Sequence, residues 1–325
     1  MESIGIDISK VKVDCCWIRD LNNLKVKTKV FKNTQQGFNE LSKWLLQQTG
    51  EEPVNIRVVM EATGVYYEPL AYALTDLGFV ICVVNPARPK EFAKSLGSQH
   101  KTDAKDSLVL ALFGARMDPR PWEPESTEVR VLKALTARLE ALEADLMREE
   151  NRLEKAEFSR SSERVIESLN QMISYLRFEK KKLEDDIDDH FDRHPDLKKD
   201  RELLMSIPAI GPVVSRVIVG VIRSRSFQSG SQVSAFLGLI PRLQESGQWK
   251  GRSRMTKSGP SKVRAKLYMA AVVALSNNPD IKEQHRRLML AGKTKMQALG
   301  AAMRKLVQIC FGVLKHQSEY RPQCI

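Results

Sequence analysis

The sequence predicts three architectures in succession. They are an α/β domain on a mixed sheet (1–122), a pair of coiled-coil helices (123–196) and a mainly α-helical C-terminal domain (197–325). Three observations predict this. Five apolar or alternating segments before residue 85 are interrupted by two helical patterns, the alternation expected of a layered α/β fold. Leucines then recur at heptad spacing through two long charged stretches. The last third combines helical patterns, Pro/Gly turns and a one-sided excess of Lys and Arg.

The first strand is Ser3–Ile8, short and apolar. Val11–Ile18 follows, rich in Val, Cys and Trp. Leu24–Phe31 alternates Val26, Thr28 and Val30 with Lys25, Lys27 and Lys29. The connections are short, so these three should form an antiparallel meander. Thr34 should cap a helix with Phe38, Leu41, Trp44 and Leu45 on one side. Val54–Met60 has almost no polar interruption and reads as a central, buried strand that Glu61 ends. A helix from about Tyr66 to Leu77 and a buried strand Phe79–Val84, stopped by Asn85-Pro86, come next. The segment 98–113 opens polar and closes apolar. Thr102 can cap its helix, whose buried face is expected to use Leu108, Leu112 and Phe113.

This order is that of the ribonuclease H-like (RuvC-like) fold. It sets four carboxylates apart. Asp7 lies in the first strand and Glu61 at the end of the fourth, and Asp103 and Asp106 stand at i and i+3 on one helix face. Sites in open sheets gather at the carboxyl ends of parallel strands. Helix capping or a turn explains each acid singly, but four from distant segments suit divalent metal chemistry on phosphodiesters, with magnesium the natural hard cation.

Pro119, Pro121 and Pro124 mark a linker. Leu132, Leu135, Leu139, Leu142, Leu146 and Leu153 then fall on heptad positions, as do Val165, Leu169, Met172, Leu176, Leu183 and Ile187 after a break at Ser159–Ser162. A coiled-coil hairpin follows, either an intramolecular spacer or a dimerisation arm. Its His190 and His194, four apart, fit a solvated face better than a metal pair.

Ile207-Pro-Ala-Ile-Gly211 resembles the turn of a helix-hairpin-helix element, which offers backbone N–H groups to phosphates. From Arg242 to Lys266 there are eight basic residues and one acid, Glu245; from Arg286 to Lys315 there are seven and no acid. Arg242, Lys250, Arg252, Arg254, Lys257, Lys262, Arg264, Arg304 and Lys305 are therefore the expected phosphate contacts.

Composition agrees. A net charge of +12 over 325 residues suits a polyanion, and nucleic acid leads. No apolar run spans a bilayer, and Asp7 and Lys10 interrupt the one early apolar stretch, so neither a membrane span nor a signal peptide is expected. Five cysteines without CxxC spacing point to reduced thiols in the cytoplasm.

Read together, Gly5-Ile-Asp7 with Ser9-Lys10, Glu61-Ala-Thr-Gly64, Asn85-Pro86, Lys101-Thr-Asp-Ala-Lys-Asp106, Ile207-Pro208 with Gly211, Phe236 with Gly238 and Pro241-Arg242, Ser246-Gly247 and Met303-Arg-Lys305 resemble the DEDD transposases of bacterial insertion sequences. The likeness runs along nearly the whole chain. It implies a RuvC-like domain, a coiled coil and a C-terminal transposase domain, acting in the bacterial cytoplasm. It further implies a Mg²⁺ site on Asp7, Glu61, Asp103 and Asp106, with Ser246 as the nucleophile. The implied partners are target and donor DNA, a structured non-coding bridge RNA and further copies of the chain, as a dimer or tetramer. Ser107 and Gln248-Trp249 depart from the family's usual Ala and extra serines, and neither removes a catalytic group. Chemistry alone barely separates Ser246 from Ser253, Ser258 and Ser261; the resemblance selects it. Arg252 and Arg254 are candidates to neutralise developing charge. The alternatives are a metal-dependent junction endonuclease, with Ser246 a phosphate contact, and a non-catalytic nucleic-acid-binding protein.

Overall fold

The computed structural model describes residues 1–95, 103–242, 245–246, 249–250 and 254–323, without the side chains of 103, 104, 245, 246, 249 and 250. The chain forms two compact units, Met1–Pro124 and Glu125–Ile325.

The first unit is built on five strands: β1 (Glu2–Ile8), β2 (Lys12–Asp20), β3 (Lys25–Lys32), β4 (Ile56–Glu61) and β5 (Val80–Val84). Their order in the sheet is β3-β2-β1-β4-β5. The first three pair antiparallel; β1–β4 and β4–β5 pair parallel. This mixed sheet is consistent with the ribonuclease H-like order expected from the sequence. Lys25, Lys27 and Lys29 line the outer strand β3, where charge discourages pairing with another chain.

Alternation divides the sheet's two faces. Ile4, Ile6, Val13, Cys15, Trp17, Val58, Met60 and Ile81 meet helices α1 (Gln35–Thr49) and α2 (Glu68–Asp76) through Phe38, Leu41, Trp44, Leu45, Leu70 and Leu74. Thr34 caps α1, its hydroxyl accepting from the Gly37 amide. On the other face Val59, Cys82 and Val84 pack with Leu110 and Phe113 of α4 (Asp103–Met117). Between β5 and α4 lies α3 (Ala87–Ser95), a helix the sequence pattern had not suggested; its Phe92 meets Phe113 edge-on at 5.6 Å. The buried face of α4 also differs from expectation. Ser107, Leu110, Ala111 and Phe113 are buried, while Leu108 and Leu112 are half-buried. Small residues face β1 because the helix backbone approaches the glycine of that strand closely. Thr102 lies outside the described residues.

The second unit opens with two long helices, α5 (Thr127–Phe158) and α6 (Glu163–Arg193), joined by a short turn with Arg160 at φ 52°. Leu132, Leu139 and Leu142 of α5 and Ile173, Leu176 and Ile187 of α6 are buried. Val165 and Met172, expected in the seam, are exposed, and Ile173 takes the inward place. A straight helix drifts about 20° per heptad, which rotates a strict seven-residue repeat off the contact. His190 is also not on a solvated face: it is buried, and its Nε2 lies 2.9 Å from the Glu128 carbonyl oxygen.

The remaining helices are α7 (Pro195–Met205), α8 (Pro212–Ile222), α9 (Gly230–Phe236), α10 (Ser261–Asn277), α11 (Pro279–Leu290) and α12 (Lys295–His316). One core joins them to the base of the hairpin, so residues 125–196 and 197–325 are not separate compact bodies. Asp200, fully buried, accepts from Arg223 at 2.5 Å and from Gln317 at 2.9 Å. Four short strands, β6 (Pro241–Arg242), β7 (Glu245–Ser246), β8 (Trp249–Lys250) and β9 (Arg254–Met255), stand between α9 and α10. Cys15, Cys16, Cys82 and Cys310 are buried free thiols, and burial pushes the Cys310 pKa up to about 12. Among the described residues no helix is long and apolar enough to cross a membrane.

Candidate active site

In the first unit, the sheet brings two of the expected acids together. β1 and β4 run parallel, with Gly5 beside Val59 and Ile6 beside Met60. Asp7 and Glu61 are the next residues on each strand, at the carboxyl ends. Val59 packs toward α4, and a Cβ on Gly5 would strike the Ser107 carbonyl and the Ala111 amide of that helix. Two residues further along, Asp7 and Glu61 share that face. Both are half-buried. The Thr63 hydroxyl donates to Glu61 Oε1, and Ala62 donates its amide to the Val84 carbonyl at 2.9 Å. Gly64, at φ 66°, then makes the left-handed turn that a side chain would strain.

Helix α4 runs back along β1. Ser3 donates to the Ala111 carbonyl at 2.7 Å, and a Cβ on Gly114 would lie 2.7 Å from Ser3 Oγ. Two residues up the strand, Gly5 meets Ser107, one helical turn earlier. Two strand residues rise about 6.6 Å and one helical turn about 5.4 Å, so the next step sets Asp7 level with the first turn of α4. Asp103 and Asp106 are on that turn. Asp106 is half-buried; the side chain of Asp103 lies outside the described residues. Among the described residues, no three His, Cys, Asp or Glu side chains converge closely enough to hold a metal ion. The acids nonetheless fit a hard cation in kind: they are carboxylates, two at strand ends and two on the first turn of α4, with oxygen donors only.

Two residues on this face were missed by sequence reasoning. Asp14 of β2 stands directly opposite Asp7, and Lys12 forms an ion pair with Asp14 at 3.0 Å. The signal was available in β2, where Lys12, Asp14 and Cys16 alternate with the core residues Val13, Cys15 and Trp17.

In the second unit, Ser246 stands on β7 opposite Trp249, and Glu245 stands opposite Lys250. Arg242 stands opposite Arg254, and both are exposed. Like charges directly opposed across strands repel, so this end of the ribbon favours an anion. Arg252, Ser253 and Gly247 lie outside the described residues, as do the side chains of Ser246 and Lys250. Gly238 and Gly259 lock the base of the ribbon: a Cβ on Gly238 would lie 2.7 Å from the Ser258 amide nitrogen.

The expected basic contacts divide by environment. Arg264 donates to the Leu237 carbonyl at 3.3 Å and to that of Gly259, so it ties the segment after β9 to α9. Lys262 and Lys266 flank Glu140 at 3.6 and 2.6 Å. Lys257 is exposed at φ 54°. Ser258 and Ser261 are exposed, and Arg304 and Lys305 are half-buried on α12. At the turn between α7 and α8, Ile207 and Ile210 are buried and Ala209 takes φ 81°. Gly211 caps α8, which leaves amides at the helix N-terminus with no side-chain cap.

Comparison with known proteins covers most of the chain. Residues 4–156 match a family model described as transposase, of the DEDD IS110 type, and residues 201–286 match the model described as transposase IS116/IS110/IS902 family. The pilin gene-inverting protein of Moraxella bovis is 32% identical over 320 residues, covering 98% of this chain and 97% of that protein. Its namesake from Moraxella lacunata is equally similar. A probable family 20 transposase of Pseudomonas aeruginosa is 27% identical over 123 residues, covering 37% of this chain and 36% of that protein.

Proposed function

The chain belongs to the IS110-type DEDD transposase family, and on that premise we propose that it is a DNA recombinase cutting and exchanging strands through a phosphoserine link. The observation that carries this reading is the placement of Asp7 and Glu61 on one face of adjacent parallel strands, level with the first turn of α4. The name of the Moraxella relatives, gene-inverting, supports strand exchange over simple cutting.

Asp7, Glu61, Asp103 and Asp106 would hold Mg²⁺, which polarises the phosphodiester and stabilises the departing oxygen when bound. Ser246 supplies the nucleophile. A P–O bond forms to its Oγ as the bond from phosphorus to one deoxyribose oxygen breaks. The serine proton leaves to a base, and the released sugar oxygen takes one up. A hydroxyl of the incoming strand then attacks the same phosphorus and frees the serine, so the exchange needs no ATP. Arg242, Arg252 and Arg254, with Lys250, Lys257, Arg304 and Lys305, hold phosphates around this step.

The division of labour follows the segments 1–122, 123–196 and 197–325. The first holds the acids, and the last carries Ser246 and contacts backbone phosphates. The hairpin serves as the coiled-coil arm that joins copies into a dimer or tetramer; its exposed Phe158, Met172, Tyr175 and Phe178 support that role. Target and donor DNA are chosen by pairing with a bridge RNA, so the side chains carry little sequence information. The reaction takes place in the bacterial cytoplasm.

The test mixes protein, Mg²⁺, end-labelled DNA and the RNA flanking the reading frame, then denatures. A protein–DNA adduct mapping to the peptide of Ser246, absent in Ser246→Ala, is expected. Free cut ends with no adduct, undiminished in Ser246→Ala, would establish a junction endonuclease instead. Intact DNA would leave a nucleic-acid-binding protein.

A further inference from the structure

We propose that Lys12, positioned by Asp14, is a resident cation of the carboxylate face. It offsets the acids before a metal binds, and it contacts a non-bridging oxygen of the phosphodiester once the substrate is seated. The inference rests on the metal-site reading above and adds a group to it.

Four observations converge on Lys12. Its ammonium lies 3.0 Å from Asp14, whose side chain is only 13% exposed and stands directly opposite Asp7. Two aspartates in that relation repel, and a lysine against one of them offsets the repulsion. Alternation sets Lys12 and Asp14 on the face shared by Gly5, Asp7, Val59 and Glu61.

The backbone of Lys12 is held firmly. The Lys12 amide donates to Ser9 Oγ at 3.1 Å, and the Ser9 amide donates to the Lys12 carbonyl at 2.9 Å. Asn33 braces the same turn, its Nδ2 donating to the Ser9 carbonyl at 2.9 Å. The Lys12 side chain is 43% exposed, so solvent reaches it while its root is fixed. A Lys–Asp pair whose lysine is this open to solvent adds little to stability, so its placement is better explained by charge at the site. A compact ammonium suits a single phosphate oxygen, as a point charge.

The experiment measures Mn²⁺ binding by calorimetry and DNA cleavage at saturating Mg²⁺, each on the full chain with its RNA. Removing a cation beside carboxylates strengthens their hold on a metal, so Lys12→Gln should tighten Mn²⁺ binding by about tenfold. The same variant should slow cleavage by about tenfold or more, since the phosphate then loses one of its cationic partners. Lys12→Arg should restore cleavage to within about threefold of wild type. Asp14→Asn should move Mn²⁺ affinity in the opposite direction to Lys12→Gln.

A folded Lys12→Gln protein with wild-type Mn²⁺ affinity and wild-type cleavage overturns the proposal. If that variant does not fold, Lys12→Met, which keeps the aliphatic stem, is measured in its place with the same criterion. Asp7→Asn separates the two readings. Undiminished Mn²⁺ binding there moves the metal site away from this face and overturns both, whereas lost binding there with an unaltered Lys12→Gln overturns Lys12 alone.

Discussion

The Cα of Gly5 lies against the peptide backbone of α4, so that a methyl group there would overlap the Ser107 carbonyl oxygen and the Ala111 amide nitrogen. Both obstacles are main-chain atoms, which cannot rotate away. Gly5→Ala should therefore push α4 off the sheet and lower stability by about 2–3 kcal/mol. Gly312→Ala is the matched control: it sits in α12 with nothing within 4 Å, and it should leave stability unchanged or raise it by up to about 1 kcal/mol. Urea unfolding followed by circular dichroism distinguishes the two. An innocuous Gly5→Ala would mean that α4 does not approach β1 as described.

The acids make a second prediction. Asp103→Asn and Glu61→Gln should each reduce DNA cleavage by about a thousandfold or more, with secondary structure and RNA binding retained. Chelation with EDTA should act likewise on the wild type and be reversed by added Mg²⁺. Cleavage that persists in EDTA would remove these carboxylates from the chemistry.

A third prediction separates the basic residues. Arg242 and Arg254 are exposed and opposed, while Lys262 and Lys266 already face Glu140. The double variant Arg242→Gln/Arg254→Gln should flatten the log–log salt dependence of DNA binding by about 0.9 for each phosphate that is no longer neutralised. Lys262→Gln should change it less. Equal slopes for all variants would place the binding surface elsewhere.

Much of the first unit was legible because its strands are short and either apolar or strictly alternating. Val54–Met60 could only be central, and the observed β4 is paired on both sides. Helix α3 was hidden because Ala87–Ser95 is charged and buries little beyond Pro89, so it has no apolar stripe to read. The face of α4 was misjudged because leucines suggest burial, whereas contact with Gly5 selects small residues such as Ser107 and Ala111. Met172 was placed in the hairpin seam by counting sevens, though Ile173 occupies it. Arg264 read as a phosphate contact because charge in a sequence carries no direction; its guanidinium turns inward to two carbonyls. Lys12 and Asp14 went unremarked because a charged pair at strand spacing looks like any wetted edge.

The parallel pairing of β1 with β4, and the return of α4 along β1, also has a bearing on synthesis. Residue 7 leaves the ribosome early, residue 61 much later, and residues 103 and 106 only when the domain is nearly complete. Completion of this sheet must wait for partners far along the chain, which makes it slow relative to local helix formation. A nascent or truncated polypeptide ending before α4 therefore carries at most half of the four acids. On the reading proposed here, strand breakage needs these four acids and Ser246 together, so that capacity arises only after the second unit has also been made.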